Sequence, residues 1–372
     1  MPRDSSPPSP KQESFNTRVL RLRIKDKHAV VLRDRAMWVN QVWNYCNELQ
    51  QQVWKREHRF ISGYDFAPYT KGAAKEGIPL HSQTIQGVAE EYATRRKQFK
   101  KIKLRWRVSK GSKRSLGWIP FKASALRYRN GQLWLSGIDK PLSLWDSYGL
   151  SDYQLGAGSL SEDACGRWYI NITVKVAKRI STQATDDLGI DLGLKELAAF
   201  SDERLENEKA EQFYRDLEPK LAMAQRAKKK KLVKKIHARI ANRRKDKLHQ
   251  LSTALVRQYH AIFVGNVSST ALVKTNKSKS VLNAGWGMFK TYLQYKCDDA
   301  GGWFQEINEA YSTQDCSTCF ARSGPKGLKE LGIREWTCPH CGTRHHRDRN
   351  SAKNILRRGR ATLVVGIPFL SV

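Results

Sequence analysis

With 372 residues, the chain is long enough for two or three domains, each with a core of its own. Lysine and arginine total 67 against 35 aspartates and glutamates, a net charge of +32. An excess of that size points to a polyanionic partner, because each phosphate neutralised releases condensed counterions. An anionic membrane surface is the weaker competitor, and no membrane partner is expected: no apolar run reaches the ~18 residues needed to span a bilayer, and no basic amphipathic helix ends in a lipid anchor.

The opening "MPRDSSPPSPKQES" reads as a disordered leader over 1–15, too polar for a signal peptide. "RVLRLRIK", Arg18 to Lys25, predicts a short strand. Leu32, Ala36, Val39, Trp43, Cys46, Leu49 and Val53 then recur at three- and four-residue steps and predict a helix with one core-facing stripe. Gly63 to Pro79 reads as a loop. A second helix is expected from Ser82, its N-cap, with Ile85, Val88, Tyr92, Phe99 and Ile102 on one side and basic residues on the other. The period next falls to two. "ALRYRNGQLWLSG" predicts a hairpin whose Asn130-Gly131 suits a type I′ turn, and "GRWYINITVKV", Gly166 to Val176, predicts a further strand. Residues 16–178 therefore read as a small β-barrel or sandwich interrupted by a helical insertion. Trp38, Trp43, Tyr128 and Trp134 stand beside basic residues, where rings either stack on bases or, more commonly, fill the core.

After the polar linker "TQATDD", "LGIDLGLKELAAFSD" predicts an apolar strand, a turn and a second strand. Two long basic helices are expected next, with a stripe at Leu232, Ile236, Ile240, Leu248, Leu251 and Leu255. So dense a run of Lys and Arg, almost without compensating acid, suits a nucleic-acid face better than a merely solvated one. "AIFVGN" predicts a buried strand and "VKTNKSKS" a loose loop. A helix over "WGMFKTYLQYKCDDA", a strand over "GWFQEINEAY" and a last helix from Arg349 to about Arg358 follow. Strands alternating with helices make the second half mainly α/β.

Seven cysteines are present. Cys46, Cys165 and Cys297 are scattered, as in a reducing cytoplasm rather than a disulfide framework. Cys316, Cys319, Cys338 and Cys341 form two C-x-x-C pairs separated by 18 residues. Each pair makes a tight turn that aims two sulfurs at one point, the pattern of tetrahedral Zn²⁺; four thiolates leave no open position, so the role is structural. His345 and His346, just beyond, are expected at the surface or against nucleic acid and not among the ligands. Asp191 lies in a strand before Gly193, and Asp348 sits between Arg347 and Arg349 at the head of the last helix. Carboxylates so placed in so basic a chain suit Mg²⁺, which binds one or two carboxylates together with substrate phosphates.

"GIDLGLKELAAFS", "IHARIANRRKDKLHQLSTALV", "YSTQDCSTC" and "HRDRNSAKNIL" resemble the TnpB (OrfB) proteins of insertion sequences, ancestors of the type V CRISPR nucleases and relatives of the Fanzor proteins. The resemblance is strongest from about 186 to 356. It implies an RNase H/RuvC-like nuclease (186–309 and 342–358) with an inserted four-cysteine zinc ribbon (310–341) and a C-terminal tail (359–372). A wedge β-barrel (16–27 and 105–180) carrying a helical recognition insertion (28–104) would precede them. It also implies a guide RNA from the transposon end and cleavage of double-stranded target DNA next to a transposon-adjacent motif, in a prokaryotic cytoplasm. The oligomeric state is left open by the sequence, a monomer being the expectation. Asp191 and Asp348 match the first and last acids of the family's triad. The family's usual glutamate position is occupied by Gly265, which cannot bind metal. Glu309, near the end of the next strand, matches the rearranged arrangement of a subset of TnpB and the Fanzor proteins. Glu306 is a further candidate, and His346 stands where the family often has an aspartate. Asp191, Glu309 and Asp348 would together hold two Mg²⁺ ions for in-line phosphodiester hydrolysis. The rival readings are a nuclease-dead RNA-guided repressor and a guide-free transposase or structure-specific nuclease.

Overall fold

The computed structural model describes residues 15–73, 75–177, 185–267, 284–327, 330 and 332–365. The leader, the "VKTNKSKS" loop, Lys329 and the last residues of the tail lie outside them. The described residues fall into two compact units, divided between Ala177 and Lys178.

The first unit is a seven-stranded antiparallel sheet. Strands β1 (Phe15–Ile24), β2 (Trp118–Phe121), β3 (Leu126–Arg129), β4 (Gln132–Leu135), β5 (Leu142–Trp145), β6 (Leu155–Glu162) and β7 (Trp168–Ala177) run in the order β2-β6-β7-β1-β5-β4-β3 and form a near-closed barrel. β1 spans its whole length against β7, from Phe15↔Ala177 to Arg23↔Tyr169, and passes to β5 at Arg23↔Trp145. Alternation sends Leu20, Leu22 and Ile24 inward. Asn130 and Gly131 both have positive φ, as a type I′ turn requires.

The insertion between β1 and β2 contains α1 (Ala29–Glu57), the single turn α2 (Ala67–Thr70) and α3 (Ser82–Phe99). Every residue of the α1 stripe is buried, its leucines and valines each contributing about 1.5–3 kcal/mol through removal from water. Trp43 meets Tyr92 of α3 edge-to-face at 5.3 Å. The buried Asn47 side chain donates to the Leu104 carbonyl at 2.9 Å and accepts from the Leu104 amide and the Tyr92 hydroxyl. This pins the returning chain to the helix pair. Two expectations are corrected. His81 caps α3, its Nδ1 accepting from the Gln83 amide, so Ser82 is already helical. Phe99, the last residue of α3, is exposed, and so is Ile102, because the αL residue Lys100 ends the helix before Ile102 can continue the stripe. Of the four aromatics, Trp43 is core, Trp38 and Tyr128 are partly buried, and Trp134 is 43% exposed.

The second unit has a five-stranded sheet in the order β10-β9-β8-β11-β12: β8 (Asp186–Leu192), β9 (Glu196–Phe200), β10 (Glu208–Lys209), β11 (Tyr259–Gly265) and β12 (Trp303–Ile307). β8, β11 and β12 are parallel, while β9 and β10 complete an antiparallel meander. Between β10 and β11 lie α4 (Glu218–Arg226) and α5 (Lys230–Gln258). Only α5 is long, so the expected pair of long helices is one short and one long. Ile236, Ile240, Leu248 and Leu255 of its stripe are buried. α6 (Trp286–Ala300) leads into β12, and the two-stranded ribbon β13 (Glu335–Thr337) and β14 (Arg344–His346) leads into α7 (Arg347–Val365). α7 thus continues well into the segment read as a tail. Gly189 lets α7 lie directly on β8, since a Cβ there would overlap the Ala352 carbonyl. Among the described residues no helix is long and apolar enough to cross a membrane.

Candidate active site and metal centre

Asp191 stands near the end of β8, Glu309 two residues beyond β12, and Asp348 in the first turn of α7. All three line one cleft of about 220 Å³, together with Thr313, Arg334 and Arg347. The parallel pairing of β8, β11 and β12 brings the first two together, and the close seat of α7 on β8 delivers the third. Gly265 ends β11, between the Asp191 and Glu309 strands. A Cβ at Gly265 would overlap Glu309 Oε2. The space of a side chain on β11 is therefore filled by a carboxylate from the next strand. Glu306, the other candidate, is held at 2.7 Å by Lys290 and does not line the cleft.

Burial raises the Asp191 pKa well above the carboxylate range, and the charges of Asp348 and then Glu309 add to the shift, against a hydrogen bond from Ser351 and the charge of Arg347. Burial raises Glu309 as well, opposed by Lys290. Asp348 takes both its oxygens to Arg334 Nη1, at 2.6 and 2.9 Å. The three carboxylates do not all come within 4.8 Å of one another; among the described residues only the four thiols do. Three carboxylates around one cleft, two of them raised by burial, are the donor set of a hard divalent cation.

One consequence can be measured without catalysis. Because the folded state holds the Asp191 proton more tightly than the unfolded chain, the stability this residue contributes is complete below the ordinary carboxylate range. It is lost as pH rises toward its folded value. In metal-free protein, Asp191→Asn is expected to stabilise at pH 8 by about 1–3 kcal/mol, a few degrees of melting temperature. The gain should shrink toward pH 5. An unchanged or lower melting temperature at pH 8 would contradict this electrostatic picture.

Cys316, Cys319, Cys338 and Cys341 place their sulfurs within 4.8 Å of one another, fit for a soft tetrahedral ion. The two knuckles share one hydrogen-bond scheme: Cys316 and Cys338 donate amides to Ala321 and Thr343, and their carbonyls accept from Phe320 and Gly342. The Ser323 hydroxyl, ahead of nearby amides, lowers the Cys338 thiol to about 6. Cys319 rises to about 12: the Ala321 amide favours its thiolate, but burial and the neighbouring thiols outweigh it. His345 corrects an expectation. It is buried, with Nε2 3.0 Å from Cys316 Sγ and its ring against Trp336. Arg347 is buried too, donating to the Glu330 carbonyl at 2.9 Å.

Three residues of "RDRNSAKN" had no role in the sequence reading. Asn350 and Asn354, one turn apart on α7, both donate to the carbonyls of Ser312 and Asp315. Ser351, buried between them, bonds to Ser312 Oγ at 2.7 Å and to Asp191. The available signal was two asparagines at i and i+4, which share one helix face and, if that face is buried, need hydrogen-bond partners.

Comparison with known proteins extends this picture. Residues 171–276 match the family model described as "Probable transposase", and residues 286–355 match "Cas12f1-like, TNB domain". A Streptomyces pristinaespiralis protein named "Putative RNA-guided DNA endonuclease" is 30% identical over 92% of this chain and 88% of its own. "Putative RNA-guided DNA endonuclease InsQ" of Escherichia coli (strain K12) is 27% identical over 68% of this chain and 62% of its own. The fold is similar to the protein in a cryo-EM structure of a Cas12f1–sgRNA–target DNA complex, with a TM-score of 0.60 at 12% identity over 92% of this chain and 98% of that one. With the motif segments and the relative aligned almost end to end, the chain belongs to the TnpB (OrfB) family.

Proposed function

We propose that this chain is an RNA-guided DNA endonuclease. It would bind a guide RNA derived from the transposon end and cleave double-stranded target DNA beside a transposon-adjacent motif by Mg²⁺-dependent hydrolysis. The observation that carries the reading is the seat of Glu309 in the space left by Gly265, which completes a three-acid cleft with Asp191 and Asp348. The names of its relatives and a net charge of +32 agree. The five-stranded order supports an RNase H/RuvC-like nuclease over 186–309 and 342–358. The four thiols support a structural Zn²⁺ ribbon over 310–341, and the first unit supports a wedge barrel over 16–27 and 105–180 with a recognition insertion at 28–104. The site of action would be the prokaryotic cytoplasm.

Asp191, Glu309 and Asp348 would hold the Mg²⁺. When bound, such ions supply a polarised water and stabilise the leaving oxygen. The rest falls to the chain. Ser351 orients Asp191. Arg334 holds Asp348 and offers a cation at the mouth of the cleft, where a phosphate arrives. Arg347, buried at the start of α7, favours the ionised form of Asp191.

The test uses protein copurified with its native transposon-end RNA, Mg²⁺, and a plasmid library with a fixed target and randomised flanks. Cleavage next to one flanking motif, dependent on RNA and lost in Asp191→Ala, is expected. RNA-dependent binding without cleavage would move the protein to a repressor, and cleavage without RNA would move it to a guide-free nuclease.

A further inference from the structure

Two aromatic residues in the second unit adopt a backbone conformation that aromatics avoid. Phe320 has φ +67° and Tyr311 φ +63°. The knuckles provide an internal control for Phe320. Its counterpart Gly342 has φ +72° and makes the same amide-to-carbonyl bond, so the turn needs the left-handed conformation and glycine meets that need without steric cost. A phenylalanine there disfavours the fold locally and gains little burial in return, being 53% exposed. Tyr311 is 52% exposed. It stands between Glu309 and Thr313, which both line the acidic cleft, and so at its lip.

Each ring carries a guanidinium on its face. Arg322 Cζ is 3.8 Å from the Tyr311 centroid, and Arg357 Cζ is 4.0 Å from that of Phe320. Asp315 anchors the Tyr311 stack to α7: it pairs with Arg322 at 2.9 Å and with Arg358, the chain neighbour of Arg357, at 3.0 Å, and Arg358 donates to the carbonyls of Asn308 and Ala310 beside Tyr311. Arg357 is exposed and, among the described residues, has no acidic partner. The surface thus offers two aromatic faces, each paired with a planar cation, and one cation left for a phosphate. Unpaired bases stack on such faces and their backbone follows the positive charge. In a duplex the base faces are already occupied by their neighbours.

We propose that Phe320 and Tyr311, with Arg357 and Arg322, are positioning residues that stack unpaired bases of a single DNA strand at the rim of the cleft. The inference rests on the nuclease reading of that cleft and names where its substrate strand lies.

The test measures binding of a labelled 12-nucleotide single-stranded DNA to the RNA-bound protein, without Mg²⁺ so that no strand is cut. Phe320→Gly is the informative variant, because it removes the ring while relieving the backbone. It should weaken single-strand binding about fivefold or more, the range for one stacked base. Duplex binding should stay unchanged and the melting temperature should be equal or higher. Phe320→Tyr should bind as the wild type does. Unchanged single-strand affinity in Phe320→Gly, an equal loss for duplex, or a preference for RNA over DNA of the same sequence would each overturn the proposal. Binding that behaves as expected in a protein that never cleaves would sink the nuclease reading and leave this one standing.

Discussion

Glu309→Ala is expected to remove target cleavage by about a thousandfold or more while leaving RNA binding and melting temperature nearly intact. A carboxylate that helps hold Mg²⁺ contributes several kcal/mol to the transition state, and each 1.36 kcal/mol is tenfold in rate. Gly265 makes the prediction sharper. A Cβ there would overlap Glu309 Oε2, and Ile355 and Glu309 Cβ crowd the same point. Gly265→Ala should therefore push the carboxylate out of the cleft and depress cleavage without deleting an acid. Gly265→Glu alone should be as poor, since two carboxylates would compete for one space. Gly265→Glu combined with Glu309→Ala returns the acid to β11 and should recover part of the activity that each single change loses. Coupling of that sign is what two side chains that share one site produce. Activity that survives Glu309→Ala would remove this residue from the site, and a double variant no better than its parents would show that the two positions do not exchange roles.

How far this site was legible follows from what carries sequence information. The thiol set could be read because two C-x-x-C turns fix their own geometry whatever surrounds them. The Asn130-Gly131 hairpin could be read because positive φ at both positions restricts the residue choice. Gly265 was visible as a missing acid, but its meaning was spatial: only the parallel register of β11 and β12, with Gly265 opposite Ile307, shows whose oxygen fills the gap. The Arg334–Asp348 pair spans a ribbon whose path depends on the tetrathiolate set, so no local pattern could announce it. His345 looked like a surface residue because its neighbours in the chain are basic, whereas its neighbours in space are Cys316 and Trp336. Ile102 continued the apolar stripe of α3, but the left-handed Lys100 ended the helix first.

Stripping zinc, or replacing Cys338 by serine, is expected to unfold the ribbon and with it abolish cleavage, while the five-stranded sheet survives. Among the described residues the ribbon buries hardly any apolar side chain beyond its own Cys316 and Cys338. A segment without a core depends on its metal, and structural Zn²⁺ sites supply about 10–16 kcal/mol of apparent binding free energy near neutral pH. Serine at Cys338, whose thiol the Ser323 hydroxyl holds below the ordinary range, removes one of the four ligands. Acidification should act in the same direction, since protons compete with the ion for each thiolate. The damage should stop at a definite boundary. α7 rests on β8 through the close approach at Gly189, with Ala352 and Ile355 buried, and none of these residues belongs to the ribbon, so α7 stays on β8 and the melt of the nuclease sheet persists as a separate transition. Arg334, however, reaches Asp348 only from within the ribbon, and Glu330 holds Arg347 from the same segment. Losing both leaves the last acid of the cleft unsupported. Limited proteolysis after chelation should therefore cut between Cys319 and Cys338 and spare residues 186–309. Cleavage of target DNA at full rate by the zinc-free protein would mean that the ribbon is dispensable and that Asp348 needs nothing from it.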